Sequence, residues 1–241
     1  LSQGQKSRIS LYSRMGGGNW VTRVGMTPGS NLGNLGKGSV LLVFASELHD
    51  EAPIWWLRIK QAAQRGAVLI VAAGRKTRLD KFASFKLTYG YGEEEAVLRQ
   101  LIAGESDAAK AFAAAQNAVA FLGSDGMGAA QTAAASGMLA ELLVRTDHFG
   151  KPDNGLIPVW QSANDQGAWE MGIETDPALG ETISAAMGLY IAGADPAGDD
   201  PELSNAIQRA GFVVVQDLFL TETAKLADVV FPVQAPAERE G

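Results

Sequence analysis

The sequence has no cysteine, which excludes disulfides, thiolate metal sites, iron–sulfur ligation and cysteine nucleophiles from this segment. Only two histidines are present, His49 and His148. Their spacing matches no metal site, and they read as surface or loop residues. No apolar run is long enough to cross a bilayer, and no N-terminal stretch has the basic, apolar, small-residue order of a signal peptide. Clusters of Lys and Arg are also missing. With a formal charge of -7, the chain is a poor partner for nucleic acid or an anionic membrane surface. No Ser/His/Asp order, no metalloprotease-type His-Glu-x-x-His and no paired-carboxylate arrangement stands out.

What the sequence does have is strand–helix patterning. Its 241 residues suffice for one large domain or two small ones. Residues 1–38 form a Gly-, Ser- and Asn-rich lead-in, with MGGGNW (15–20) and PGSNLGNLGKG (28–38) expected as loop with short helical turns. SVLLVFA (39–45) is a continuous apolar run of strand length, the mark of a strand covered on both faces. Asp50 or Glu51 then offers acceptors to free backbone N–H groups, and Pro53 suits a first helical turn. IWWLRIKQAAQR (54–65) reads as a helix with an apolar stripe of Ile54, Leu57, Ile59 and Ala62. Gly66 sits where a helix end favours a left-handed residue. AVLIVAA (67–73) is a second buried strand, completing a βαβ unit.

Further along, 93–116 is an Ala-rich helix, NAVAFLG (117–123) a strand, and 124–146 a helix of small residues opened by glycines. Residues 147–156 read as loop, IPVWQSA (157–163) as a strand, and NDQGAWEMGI (164–173) as a turn entering a short helix. GLYIAGA (188–194) reads as another buried strand.

The last third repeats the first unit. LLVFASELHDEAP, helix, Gly66, VLIVA, RKTRLDKFAS is one copy; GLYIAGADPAGDDP, helix, Gly211, FVVVQ, DLFLTETAKLAD is the other. The reading is two Rossmann-like α/β halves, 39–150 and 151–241, each with a parallel sheet. Ligands of such sheets sit outside the carboxyl ends of the strands. Those ends are Ala45 to Glu47, Ala72 to Arg75, Gly193 to Pro196 and Gln216 to Asp217. The same grammar also arises without a ligand, because the fold itself demands it.

Three further stretches carry polar groups. GSDGMG (123–128) follows a strand and opens a helix, as a phosphate-holding loop would, but it lacks the Lys-Ser/Thr ending of a P-loop and reads as a tight turn. Asn164, Asp165 and Gln166 read as helix-capping residues. Glu93-Glu94-Glu95 reads as a solvated helix N-terminus. Trp55, Trp56, Trp160 and Trp169 are core residues or interface anchors.

From GMTPGSNLGNLGKGSVLLVFASELHDEAP through RKTRLDKFAS (25–84), and again at NDQGAWEMG, GLYIAGADP and VVVQDLFLTETAKLADVVFPVQAPAEREG, the chain resembles a known family. The resemblance is to the molybdopterin-oxidoreductase-like region of the G-type subunit (subunit 3) of NADH-quinone oxidoreductase, respiratory complex I. It covers nearly everything from about residue 25 onward. It implies the domain 1–3 fold of the formate dehydrogenase and DMSO reductase type. Because the family's text continues beyond Arg239-Glu240-Gly241, it also implies a portion of a longer subunit whose upstream part ligates iron–sulfur clusters. The implied partners are the other subunits of the peripheral arm, at the cytoplasmic side of the bacterial inner membrane without direct insertion.

In the catalytic relatives this region helps hold a molybdenum bis-pterin guanine dinucleotide. Their turn after the second strand usually reads Asp-Pro-Arg, and a Pro-Gly-Thr-Asp follows. Here the first is Ala73-Gly74-Arg75 and the second falls near Gly90-Tyr91-Gly92-Glu93, so Arg75 and Thr77 remain while the acidic reader of guanine is missing or displaced. The expectation is a non-catalytic domain with no cofactor and no metal. The alternative is a molybdopterin guanine dinucleotide-binding domain using Glu47, Arg75, Thr77, Gly193, Asp195, Gln216 and Asp217. A nucleotide-binding regulatory module using Gly123–Gly128 is a third reading.

Overall fold

The computed structural model describes residues 8–238. The closing Arg239-Glu240-Gly241 lies outside them. The chain divides into two compact units, one up to Glu174 and one from Thr175.

The first unit carries α1 (Gly18–Val24), β1 (Ser39–Phe44), α2 (Leu48–Glu51), α3 (Pro53–Gln64), β2 (Val68–Ala73) and β3 (Phe85–Thr88). After these come α4 (Glu94–Ala103), α5 (Asp107–Ala113), β4 (Asn117–Leu122), α6 (Ala129–Arg145), β5 (Gly155–Pro158) and α7 (Asp165–Glu170). The five strands form one parallel sheet in the order β3-β2-β1-β4-β5. β1 lies at its centre with every residue buried, which is why Ser39–Phe44 has no polar alternation. Leu41, Val43, Leu69 and Val71 face Ile59 and Ala62 of α3. Leu42, Phe44, Ile70 and Ala72 face the opposite core, which contains Val97, Leu101, Phe112 and Leu139 of α4, α5 and α6. Two helical layers therefore sandwich the sheet.

The second unit carries α8 (Leu179–Ser184), β6 (Leu189–Ala192), α9 (Pro196–Asp199), α10 (Pro201–Ile207), β7 (Val213–Asp217), α11 (Glu222–Lys225) and β8 (Val229–Pro232). Its three strands are parallel in the order β6-β7-β8. Its core gathers Ile183, Ile191, Ile207, Val213 and Val215.

The internal repeat is present in three dimensions. β1–α2–α3–β2–β3 and β6–α9–α10–β7–α11–β8 follow the same course. Each first strand ends on a residue in the left-handed region, Ala45 (φ 52°) and Gly193 (φ 62°). Each of these donates its N–H to the second strand, Ala45 to Ala72 O and Gly193 to Gln216 O, both at 2.9 Å.

Several expectations change. The first unit extends beyond the expected boundary at 150, because β5 pairs with β4 and residues 151–174 cluster with the first unit. The 93–116 helix is two helices, broken at Gly104 (φ 78°) and restarted by Ser106, whose side chain accepts from the Ala109 N–H. β3 is an additional strand, too short and too alternating in burial to stand out as an apolar run. On α3, Ile59 and Ala62 are buried but Ile54 and Leu57 are exposed, and Trp55 instead packs on Phe121. His148 is buried, bound through Nε2 to Ala115 O and through Nδ1 to Thr146 Oγ1, each at 2.9 Å. β6 is not a buried strand, since Tyr190 is exposed.

Candidate functional site

The seven expected site residues fall into two groups, one on each unit. In the first unit, Glu47, Arg75 and Thr77 stand at the carboxyl ends of β1 and β2. Glu47 caps α2. Its Oε1 accepts from the His49 N–H at 3.3 Å, and its Oε2 accepts from the Arg78 N–H at 3.0 Å. Thr77 donates through its hydroxyl (2.6 Å) and its N–H (3.1 Å) to Asp80 Oδ1, closing the turn before the next one-turn helix. Arg75 Nε donates to Asp125 Oδ2 at 2.6 Å, and this carboxylate bond raises the guanidinium's pKa further.

Asp125 sits inside GSDGMG, which forms a tight turn against the end of β1. A Cβ on Gly123 would lie 2.2 Å from Ala45 O, and the Asp125 N–H donates to that same oxygen at 2.9 Å. The Tyr91 ring lies over two glycines. A Cβ on Gly74 would come within 2.9 Å of the ring, and one on Gly126 (φ 80°) within 2.3 Å. Beside it, Tyr89 stacks on Phe44 with centroids 5.7 Å apart. The Tyr89 hydroxyl is buried with no hydrogen-bond partner among the described residues, and burial pushes its pKa upward. Glu94 is buried and holds the Gly92 N–H with both oxygens (3.0 and 2.9 Å), so it is not part of a solvated charge run.

Asn164 does not cap α7 through its side chain. Asp165 is buried and accepts from Ser13 Oγ at 2.9 Å; burial raises its pKa, and the Ser13 bond offsets part of that. Gln166 accepts from Trp160 Nε1 at 3.3 Å.

In the second unit, Asp195 repeats what Glu47 does. It caps α9, and its Oδ1 accepts from the Gly198 N–H (3.3 Å), the Thr223 N–H (2.8 Å) and the Thr223 hydroxyl (2.7 Å). Burial pushes the Asp195 pKa up, but these donors outweigh it and the net shift is downward. Gln216 accepts from the Tyr190 hydroxyl, and Asp217 accepts from the Leu218 and Phe219 N–H groups at 2.6 and 3.2 Å. Gly193 supplies the left-handed turn.

In both groups a side-chain carboxylate at the first strand end holds the turn after the second strand. The molybdopterin oxidoreductase family model matches residues 14–241. The chain belongs to the molybdopterin oxidoreductase family. Among curated members, it is 33% identical to an F420-dependent formate dehydrogenase subunit alpha of Methanocaldococcus jannaschii, over 43% of this chain and 20% of that one. It is 25% identical to an NADPH-Fe(3+) oxidoreductase subunit alpha of Geobacter sulfurreducens, over 85% of this chain and 33% of that one. It is also 25% identical to a G-type subunit of the NADH-quinone oxidoreductase of Rhizobium meliloti, over 86% of this chain and 32% of that one. The chain spans a third or less of these relatives. Acetylene hydratase from Pelobacter acetylenicus shares the fold, with a TM-score of 0.58 at 15% identity over 89% of this chain and 43% of that one.

Two surface grooves, one on α4 and α6 and one on α8 and α10, contain none of the seven expected site residues. Among the described residues, no three carboxylates or histidines gather as metal ligands, and no helix is long and apolar enough to cross a membrane. Sequence reasoning missed Tyr89, Tyr91, Glu94 and Asp125 as members of the first group. The available signals were Gly74 and Gly126, each a position where only a residue without a side chain lets a ring approach.

Proposed function

We propose that this chain is the molybdopterin-oxidoreductase-type domain of an NADH-quinone oxidoreductase subunit of the G type, and that it serves there as a structural domain without a pterin cofactor. The observation that carries this reading is the state of its strand ends. Glu47, Asp195 and Asp217 turn their carboxylates onto the chain's own backbone, and Arg75 is paired with Asp125. Tyr91 covers the glycine floor of Gly74 and Gly126. These internal pairings leave fewer acceptors at the strand ends for a guanine dinucleotide, which supports a domain without that group. The 25% identity to a subunit of the G type over 86% of the chain supports the assignment to that subunit type. The other peripheral-arm subunits are then its partners, and electrons travel through iron–sulfur clusters bound elsewhere in the polypeptide.

A second reading, a molybdopterin guanine dinucleotide-binding domain, is favoured by one observation. The buried Tyr89 hydroxyl has no partner among the described residues and stands beside these strand ends. The deciding experiment is elemental and pterin analysis of the folded, purified polypeptide, with calorimetric titration of GTP and GDP. No molybdenum, tungsten or pterin, and no heat at micromolar nucleotide, is the expected result. Stoichiometric metal or pterin would establish the second reading instead.

A further inference from the structure

Asp153, Asn154 and Gly155 tie the start of β5 into the first unit. Asp153 (φ 62°) holds the lead-in: its N–H donates to Ser30 Oγ at 2.9 Å, and its Oδ1 accepts from the Asn31 N–H at 2.7 Å. Asn154 is 2% exposed and bridges to β4. Its Oδ1 accepts from the Ala118 N–H at 2.9 Å, and its Nδ2 donates to Asn117 Oδ1 at 3.1 Å and to Pro152 O at 2.9 Å. Gly155 (φ 136°) passes against the end of α1, where a Cβ would lie 2.7 Å from Val24 O and from the Gly25 carbonyl carbon.

The fold therefore imposes both residues of the Asn154–Gly155 pair. Asparagine is the shortest side chain that offers two N–H donors together with a carbonyl acceptor. Glycine is the residue that fits a positive-φ backbone with no room for a Cβ. Side by side, they also form the dipeptide in which a side-chain amide is most open to attack by the main chain, because no Cβ shields the nitrogen of Gly155. Structure and reactivity meet at one bond.

We propose that Asn154–Gly155 is a site of spontaneous deamidation, held unreactive while β5 is paired with β4 and released when that sheet edge opens. The Gly155 nitrogen, losing its proton to hydroxide, attacks Asn154 Cγ. The Cγ–Nδ2 bond breaks, ammonia leaves and a cyclic succinimide remains. Water then opens the ring at either carbonyl, leaving an aspartyl or an isoaspartyl residue. No electron is transferred, and water is the only co-reactant consumed. In the closed arrangement three hydrogen bonds fix the Asn154 amide, and burial keeps water from it. β5 is a four-residue strand at the edge of its sheet, an element of the kind that opens locally without global unfolding. The step runs one way. An aspartyl side chain has no N–H, so it sets a negative oxygen against Asn117 Oδ1 and Pro152 O. An isoaspartyl residue adds a carbon to the main chain ahead of Leu156. Either product keeps β5 from closing as before, so a chain that has opened here stays marked. The inference rests on this corner of the fold and is independent of the proposed electron-transfer context.

The test follows the full, unsubstituted polypeptide through timed incubation in mildly alkaline buffer, once folded and once unfolded in urea. Mass spectrometry of the peptide carrying residues 153–155 reads the amide-to-acid change, and isoaspartyl methyltransferase labelling reads the isomer. Conversion many-fold faster in the unfolded chain is expected. Equal rates overturn the proposal, as does an unfolded chain that does not convert. A second reading uses urea below the unfolding transition, with hydrogen exchange at the Leu156 and Ile157 amides reporting the opening of β5. Conversion should rise together with that exchange, and conversion that stays flat while exchange rises overturns the proposal. Asn154→Asp examines the consequence. A lower denaturation midpoint and faster exchange at 156 and 157 are expected, and wild-type values for both overturn the one-way step.

Discussion

Glu47 and Arg78 lie 31 positions apart in sequence, yet Oε2 of the one accepts from the backbone N–H of the other at 3.0 Å. The other oxygen of Glu47 holds the His49 N–H. A single buried carboxylate thereby fixes both the start of α2 and the turn after β2. Asp195 and Thr223 form the same joint in the second unit, with one difference: a single oxygen of Asp195 takes all three donors.

That difference predicts opposite outcomes for isosteric amides. Glu47→Gln must turn an NH2 group toward one of two backbone N–H groups, orphaning it. The expected cost is about 1–3 kcal/mol in chemical denaturation, the usual penalty for a buried unsatisfied donor. Asp195→Asn can keep its carbonyl oxygen facing Gly198 and Thr223, and is expected to stay folded with a smaller loss. Equal losses in the two variants would contradict the one-oxygen geometry.

The charge on Asp195 nevertheless has a pH signature. Burial opposes its ionisation, but the Thr223 and Gly198 donors win and hold its pKa below 3.8. A carboxyl with a depressed folded pKa adds stability above its unfolded value and loses it as pH falls through the folded one. Denaturation midpoints of the second unit should therefore fall below about pH 4 in the wild type. In Asp195→Asn this contribution should be absent, and the two curves should converge at the acid end.

Tyr89→Phe removes a buried hydroxyl that has no partner among the described residues. With nothing to lose but an uncompensated desolvation, the variant is expected to gain about 1 kcal/mol in thermal or chemical unfolding. A loss of similar size would mean that the hydroxyl is bonded in the isolated protein, which would remove the observation behind the cofactor-binding reading.

The left-handed strand ends give a reciprocal pair. Gly193→Ala meets no atom within 4 Å, so its cost is conformational alone, about 1 kcal/mol. Ala45→Gly relieves the same strain at φ 52° but deletes a methyl buried in the first core and frees the unfolded chain, so it should be neutral to mildly destabilising, by about 1 kcal/mol at most. Differential scanning calorimetry of both variants measures the two effects.

The parallel sheets are legible in the sequence because burial on both faces leaves a continuous apolar run, as at Val40–Phe44 and Leu69–Ala73. β8 has an equally apolar text, Val229-Val230-Phe231-Pro232, yet all four residues are exposed. Apolar text reports what a strand can be covered by, not whether this chain supplies the cover. β5 begins two residues ahead of its apolar text, because Gly155 and Leu156 join the ladder from what reads as loop. Among the site residues, positions at strand ends follow from the fold alone. The joints they make do not: Arg75–Asp125 and Tyr91 over Gly126 bridge segments 50 and 35 residues apart, and local periodicity carries no signal for such pairs.

The strand orders set how each sheet can assemble. In the second unit neighbours in space are neighbours in sequence, so Tyr190 meets Val214 and Val214 meets Val229 after short searches. In the first unit the central strand is completed only when Leu42 meets Ala120, across the whole of α2 to α5. Closing so long a loop costs entropy before any contact repays it, and rates fall as contacts become less local. Capture of β4 by β1 is therefore expected to be the slow step in building the first sheet, and pulsed hydrogen exchange should show Val214 and Val215 protected before Val119 and Ala120.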